Sequence, residues 1–241
     1  MTRLRGGAIA LVLAAAALPL LAQGRGRGYY GVPPNPSYDG RFTFSRIRYP
    51  GNSWNHDYPQ ADYNMPLIMR ELTSVRARDD ATNVFPLTDP ALFTAPVMYL
   101  SEPGFWRAGD DELRALGQYL LKGGFLIVDD FEADQWYNFE RNMRRALPEH
   151  EPIEIDETHT IFDTFFYVEN PYVPHPFVTD RPRFVGWFEG NDPDARMMVI
   201  ANHNGDLAEY WEYSGTGFFP VDVTNEAYKL GVNYIIYGLT R

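Results

Sequence analysis

The chain has 241 residues, of which 45% are hydrophobic and 22% charged, and its formal net charge is −11 at pH 7. The apolar fraction excludes wholesale disorder, and the acidic balance excludes a sequence-independent nucleic-acid binder, which needs a basic face. Because the chain has no Cys, a thiolate nucleophile, a disulfide and a cysteine-ligated metal centre are excluded as well.

The N-terminus has the pattern of a secretory signal. Arg3 and Arg5 precede the uncharged apolar run Ala8–Ala22, which is short for a membrane span. We expect cleavage after Ala22 and a periplasmic or secreted protein whose mature chain has no transmembrane span. An uncleaved anchor or a buried N-terminal helix is the alternative.

The remainder divides into an arm and one domain. Residues 23–41 are rich in Gly, Pro and Arg, which predicts a linker or a wrapped arm. Residues 42–241 alternate strand-like and helix-like segments. The predicted strands are Phe42–Tyr49, Ala95–Leu100, Phe125–Val128 and Met197–Ala201. The predicted helices lie in the second half of Tyr58–Val75 and over Asp110–Leu121, Trp136–Ala146 and Ala227–Leu239.

The strongest local pattern is a βαβ unit. Asp110 and Asp111 begin an amphipathic helix, and the pair Gly123 and Gly124 ends it. The continuous apolar run Phe125–Val128 follows directly, as expected of a strand buried on both faces. The alternation predicts an α/β fold with a mostly parallel sheet and helices on both faces.

Six sequence segments, taken in their order along the chain, resemble the bacterial family DUF4159. They are FTFSRIRYPG, PVMYLSEPG, LRALGQYLLKGGFLIVDDF, HTIFDTFF, IANHNGDLAEYWE and KLGVNYIIYGLTR. That family is similar in fold to the class I glutamine amidotransferases, so the resemblance implies a flavodoxin-like three-layer sandwich and an exported bacterial protein. Active amidotransferases place a Cys on a sharp strand–turn–helix elbow. Since this chain has no Cys, thiol-dependent glutamine hydrolysis is excluded.

An acidic cluster follows the predicted strand Phe125–Val128, where open α/β sheets bind their ligands. Its members are Asp129, Asp130, Glu132 and Asp134. Asp129 and Asp130 are predicted to be an acid/base pair or ligands of a divalent cation, because carboxylates held together bind a cation or share a proton. The alternative is a set of acids at the start of the next helix, paired with basic residues such as Arg141 and Arg144.

Two further segments supply candidate site residues. His159 follows an acidic stretch and is interpreted as a base or metal ligand facing the acidic cluster, or else as a structural histidine. The segment after the predicted strand Met197–Ala201 supplies the ligand-binding candidates Asn202, His203, Asn204, Asp206 and Trp211. An ordinary turn, and for Trp211 a place in the core, are the alternatives. His56 and His175 are interpreted as loop residues.

These patterns predict an exported, degenerate amidotransferase-like domain that binds a ligand or partner in the cell envelope, such as an envelope protein or a glycan. The alternative is a metal-assisted or acid/base hydrolase of a glycan or peptide, in which Asp129, Asp130 and His159 carry the chemistry. The discriminating feature is spatial. Convergence of these three residues with Asp206 in one pocket favours the enzyme.

Overall fold

The computed structural model describes residues 31–241, of which residues 34–241 form one compact unit. The predicted signal peptide and residues 23–30 of the predicted arm lie outside the described residues. The strands are β1 (Ser45–Arg48), β2 (Asn83–Pro86), β3 (Val97–Ser101), β4 (Phe125–Phe131), β5 (Ile153–Ile155), β6 (Arg183–Phe188) and β7 (Met197–His203). The helices are α1 (Gln60–Leu72), α2 (Asp110–Leu121), α3 (Gln135–Ala146), α4 (Leu207–Glu212) and α5 (Val221–Thr240).

The strands form one seven-stranded sheet in the order β2-β1-β3-β4-β7-β6-β5. The first five strands in this order are parallel to one another, whereas β6 is antiparallel to both β7 and β5. The predicted α/β fold with a mostly parallel sheet is therefore confirmed. Since β2 and β3 flank β1 on opposite sides, the direction of winding reverses between β1 and β3, and open sheets bind ligands at such a switch point.

Helices cover both faces of the sheet. α1, α4 and α5 pack against one another on one face, and α2 and α3 pack together on the other. Phe125 and Ile127 of β4 join the core beneath the first group, whereas Leu126 and Val128 point to the opposite face. All four are at most 1% exposed, which confirms that this strand is buried on both faces.

The two central strands extend further than predicted. β4 continues through Asp129 and Asp130 to Phe131, and β7 continues through Asn202 to His203. The apolar runs end earlier because the side chains at these positions find polar partners inside the fold. The sequence patterns also miss β2, β5 and β6, which are short or contain a glycine.

Asn35 of the predicted arm contacts the edge strand β2. The side chain of Asn35 donates to the Val84 carbonyl at 3.2 Å and accepts from the Val84 N–H at 2.8 Å. It therefore satisfies backbone groups at an otherwise open sheet edge. Among the helices of residues 31–241, none is both long and apolar enough to cross a lipid bilayer.

Candidate functional site

Acidic and histidine side chains converge at the carboxyl ends of the parallel strands. One nitrogen or oxygen atom each from His56, Glu102 and Asp130 lie within 4.8 Å of one another, and the same holds for Asp130, His175 and Asp206. Asp130 thus belongs to both groups. We call these five residues the acidic pocket. It lies at the edge where the order of the sheet predicts a ligand crevice.

A bulge in β4 directs Asp130 into the acidic pocket. The register between β4 and β7 shifts between Val128 and Phe131, and Asp130 has a φ of 61°. The Asp130 N–H donates to the Gly205 carbonyl at 3.0 Å instead of continuing the regular ladder. Bulges re-aim a side chain in this way. Consecutive aspartates consequently enter different environments.

Three acidic residues of this region have a left-handed backbone. The φ angles are 59° at Asp57, 46° at Glu102 and 61° at Asp130. Such angles are uncommon outside glycine and cost about 1–3 kcal/mol each, and they concentrate at functional sites. The three residues come from separate segments before α1, after β3 and within β4. Strain at all three supports a functional role for the region they surround.

Asp129 lies beneath the acidic pocket with both oxygens occupied. Its Oδ2 accepts hydrogen bonds from the N–H groups of Leu207 at 2.7 Å and Ala208 at 3.1 Å, which begin α4. The same oxygen accepts from the Tyr99 hydroxyl at 3.1 Å, and Oδ1 accepts from the Asn202 amide at 3.1 Å. Burial, opposed by the Asn202 hydrogen bond, raises the pKa of Asp129 to about 6. Asp129 therefore anchors α4 to the sheet.

His56 bridges two carboxylates of the acidic pocket. Its Nδ1 lies 2.7 Å from Glu102 Oε1 and 3.2 Å from Asp130 Oδ2, and the Ser101 hydroxyl donates to the same Asp130 oxygen at 3.2 Å. Burial alone would lower the pKa of His56, but the hydrogen bonds to Asp130 and Glu102 raise it to about 10. His56 is therefore an imidazolium at neutral pH.

Arg46 fixes the loop that carries His56. Its fully buried guanidinium donates to the carbonyls of Trp54 at 3.1 Å and His56 at 2.8 Å, and it pairs with Asp62 at 2.5 Å. Because Asp62 offsets the Arg46 charge, Arg46 positions this loop without neutralising the acidic pocket.

His175 brings an unpaired donor into the acidic pocket. Its Nδ1 accepts from the Phe177 N–H at 3.0 Å, so the neutral ring carries its proton on Nε2. That nitrogen is buried and has no hydrogen-bond partner among residues 31–241, with Glu132 Oε2 at 3.6 Å. Burial lowers the pKa of His175. The ring is therefore neutral at pH 7 and offers an N–H group to a ligand.

Asp206 completes the acidic pocket and begins α4. It is 5% exposed, and its side chain accepts from the Glu209 N–H at 3.0 Å. Burial, together with the charges of Asp130 and Asp57, raises its pKa well above the ordinary value for an aspartate. This carboxyl group therefore retains a proton where an exposed aspartate has lost it.

The structure separates His159 from the other predicted catalytic residues. Its ring packs on Phe188 with 5.6 Å between centroids, and Phe188 pairs with Met197, the first residue of β7. This is the opposite edge of the sheet from Asp129, Asp130 and Asp206. The His159 Nδ1 accepts a hydrogen bond from the Ile161 N–H at 3.2 Å, which agrees with the alternative interpretation of His159 as a structural histidine. The chain turns back after the unpredicted strand β5, which takes His159 away from the acidic cluster.

The other predicted ligand-binding residues support the site from outside the acidic pocket. Asn202 accepts from the Tyr234 hydroxyl at 3.0 Å, within the buried network around Asp129. His203 Nε2 lies 3.1 Å from the Ala133 carbonyl, and Asn204 accepts from the Ala133 N–H at 3.0 Å. Trp211 is fully buried in the core, which was its alternative interpretation.

Sequence reasoning missed His56, Glu102 and His175 as site residues. Glu102 directly follows the predicted strand Ala95–Leu100 and Ser101, so its place at a strand end was an available signal. His56 and His175 lie on loops, and only tertiary contacts bring them to Asp130. No local spacing marks either histidine.

The neighbouring carboxylates favour the protonated form of His56, and the Nε2 of His175 carries a hydrogen. A metal needs an unprotonated ring nitrogen, so metal binding at either histidine would require the loss of a proton. Asp129, which was predicted as a metal ligand together with Asp130, accepts hydrogen bonds at both oxygens.

The fold and the acidic pocket together define an open-sheet α/β protein with buried carboxyl and histidine side chains at the carboxyl edge of the sheet. A family model described as "Domain of unknown function (DUF4159)" matches residues 43–239. The chain therefore belongs to the DUF4159 family, as its sequence phrases indicated. No curated protein matches the chain.

Proposed function

We propose that the protein hydrolyses a neutral glycosidic or peptide bond by acid/base catalysis in the acidic pocket. One observation carries this proposal. Asp130, His175 and Asp206 meet within 4.8 Å around a buried Nε2–H that lacks a partner in the described part of the chain. Active sites pair titratable groups whose surroundings favour opposite protonation states.

Each of the three residues has a distinct role in this reaction. Asp130 takes a proton from water while the water oxygen attacks the scissile bond. Asp206, whose pKa is raised well above the ordinary value for an aspartate, gives its proton to the leaving group as the bond breaks. The Nε2–H of His175 donates to a substrate oxygen. Transfer of the proton from Asp130 to Asp206 then restores the starting state.

The charges of the acidic pocket constrain the substrate. Its three carboxyl groups face one imidazolium, and the whole chain has a formal net charge of −11. An anionic substrate such as a phosphate ester is repelled by this field. An uncharged or cationic glycan or peptide is therefore the substrate class that the electrostatics favour.

Binding without chemistry is the second candidate, and low exposure favours it. Asp130 and His175 are 8% exposed and Asp206 is 5% exposed, so a bulky polymer reaches them only if the surrounding loops open. In this candidate the protein is the degenerate amidotransferase-like domain expected from the sequence. The strand order β2-β1-β3-β4-β7 supports a flavodoxin-like core, since it repeats the order 2-1-3-4-5.

We further propose that the protein acts in the cell envelope. The support is the N-terminal pattern of Arg3, Arg5 and the apolar run Ala8–Ala22. N-terminal sequencing of the protein from a periplasmic fraction tests this. A chain beginning at Gln23 is expected, and an intact N-terminus in the cytoplasm would contradict it.

The catalytic proposal is tested with a panel of uncharged chromogenic glycosides and fluorogenic peptides. Wild-type protein is expected to hydrolyse members of the panel, and Asp130→Asn and Asp206→Asn to lose about 100-fold or more in rate. Glu71→Gln, on the exposed end of α1, serves as the matched control and keeps full activity. If wild type is inactive while panel members raise its thermal midpoint, the binding candidate replaces the hydrolase.

A further inference from the structure

We infer that Asp57, Glu209 and Glu212 form a binding site for a hard divalent cation, Ca²⁺ or Mg²⁺, beside the acidic pocket. One carboxylate oxygen from each residue lies within 4.8 Å of the other two. Asp57 precedes α1, whereas Glu209 and Glu212 lie on α4, so two packed elements supply the oxygens. The inference does not depend on the proposed hydrolysis, because none of these residues has a role in that reaction.

An unpaired buried oxygen at Asp57 is the independent sign of a missing ligand. Asp57 is only 7% exposed, and its Oδ2 has no hydrogen-bond partner within residues 31–241. Buried carboxylates are ordinarily hydrogen-bonded, paired with a cation or bound to a metal. A cation shared with Glu209 and Glu212 would satisfy this oxygen.

The fold holds Asp57 in place, and no ion pair of Asp57 is present within residues 31–241. Arg46 binds the carbonyl of the preceding residue, His56, at 2.8 Å, and its own charge is offset by Asp62 at 2.5 Å. Asp57 also adopts a left-handed backbone with a φ of 59°. The loop therefore holds the Asp57 carboxylate close to those of Glu209 and Glu212. A shared cation would offset the repulsion among the three groups.

The surroundings of Asp57 disfavour its charged form. Burial, followed by the charge of Asp130, raises the pKa of Asp57 well above its ordinary value, with Arg46 opposing and Glu209 adding to the effect. The charged and titratable groups facing Asp57 are Arg46 on β1, Tyr99 on β3, Asp130 on β4, Asp206 just before α4, and Glu209 and Glu212 on α4.

The chemistry of the three ligands selects the type of cation. All are carboxylates, and oxygen ligands suit Ca²⁺ and Mg²⁺, whereas Zn²⁺ and Cu²⁺ favour nitrogen and sulfur. Water molecules would fill the remaining coordination positions. Ca²⁺ accepts six to eight oxygens flexibly, whereas Mg²⁺ requires a near-octahedral set, so the two ions are compared directly.

The test is calorimetric titration of the EDTA-treated full chain with Ca²⁺, Mg²⁺ and Zn²⁺ in separate experiments. We expect one Ca²⁺ or Mg²⁺ per chain and a higher thermal midpoint in its presence. Asp57→Asn and Glu212→Gln are expected to weaken binding about tenfold or more. Asn tolerates the left-handed backbone at position 57, and circular dichroism in EDTA verifies that each variant is folded.

Two controls make the outcome decisive. Glu71→Gln is expected to bind like wild type, and so is His175→Phe, which removes the Nε2–H donor of the proposed reaction. Loss of hydrolysis with retained cation binding in His175→Phe thus separates this inference from the proposed function. The inference is overturned if wild type binds neither Ca²⁺ nor Mg²⁺, if it binds Zn²⁺ alone, or if folded Asp57→Asn and Glu212→Gln bind as tightly as wild type.

Discussion

Asp129 and Asp130 show how one residue type acquires two roles within two positions. The oxygens of Asp129 accept hydrogen bonds from the backbone of α4 and from buried polar side chains. Asp130, turned by the bulge, faces His56 and Ser101 at the edge of the acidic pocket. Surroundings rather than residue type set the role of each carboxyl group.

Matched substitutions at the two aspartates test this division. Asp129→Ala is expected to lower the free energy of unfolding by about 3 kcal/mol, because buried N–H and O–H donors lose their acceptor. Asp130→Asn is expected to change it by less than about 1 kcal/mol, since Asn tolerates a left-handed backbone. Urea denaturation measures both values. Equal losses in the free energy of unfolding for the two variants would contradict the separate roles of Asp129 and Asp130.

The ion pair of His56 predicts a specific dependence of stability on pH. Its pKa in the folded protein, about 10, lies above the ordinary 6.5, so its contribution is full below pH 6.5 and lost as the pH rises to 10. His56→Gln is therefore expected to be about 2 kcal/mol less stable than wild type at pH 6. The two proteins should converge near pH 10 in chemical denaturation. A stability difference that is constant from pH 6 to pH 10 would show that the imidazolium pair does not form.

Among the helices and strands, sequence patterns predicted those elements that are stabilised by interactions within one stretch of chain. The unit of α2 and β4 has helical periodicity, a glycine stop and an apolar run, all within one stretch of chain. β5 has only three residues and is defined by its pairing with β6, which no local pattern reveals. His175 likewise reaches the acidic pocket only through tertiary contacts. Strand ends therefore identified Asp130 and Asp206, whereas the loop histidines could not be predicted.

The position of β4 at the centre of the sheet gives a prediction with an internal control. Ile127 is 1% exposed on β4, whereas Leu121 at the end of α2 is 57% exposed. Ile127→Asp is expected to lose about 4 kcal/mol or more, because it buries an unpaired charge. Leu121→Asp should stay within about 0.5 kcal/mol of wild type. Denaturation midpoints compare them, and similar effects at both positions would argue against a central β4.

In the whole molecule, the acidic residues that are buried at the carboxyl edge of the sheet lower the stability of the folded protein. Asp57 and Asp206 are both buried, and burial raises the pKa of each well above its ordinary value. For a group with a raised folded-state pKa, the stabilising contribution is full below the ordinary pKa of 3.8 and is lost as the pH rises through the folded value. The charged forms of these residues therefore make the protein less stable at alkaline pH.

Removing the charges of Asp57 and Asp206 should stabilise the folded protein and impair the acidic pocket and the proposed cation site. In EDTA at pH 8, the double variant Asp57→Asn, Asp206→Asn is expected to be about 1–2 kcal/mol more stable than wild type. The advantage should vanish toward pH 4, where wild type carries the protons itself. Urea denaturation at the two pH values measures this difference. A double variant that is less stable at pH 8 would mean that the carboxylates are structural.

The most direct measurement is a carbon-13 NMR titration of the Asp206 carboxyl group, assigned by comparison with Asp206→Asn. In the proposed reaction, the acidic pocket keeps this carboxyl group protonated so that it can act as the acid of an acid/base pair. The expected result is a midpoint well above the ordinary aspartate value of about 3.9, shifted down when Asp130 is replaced by Asn. A midpoint near the ordinary value that is insensitive to Asp130→Asn would contradict the account.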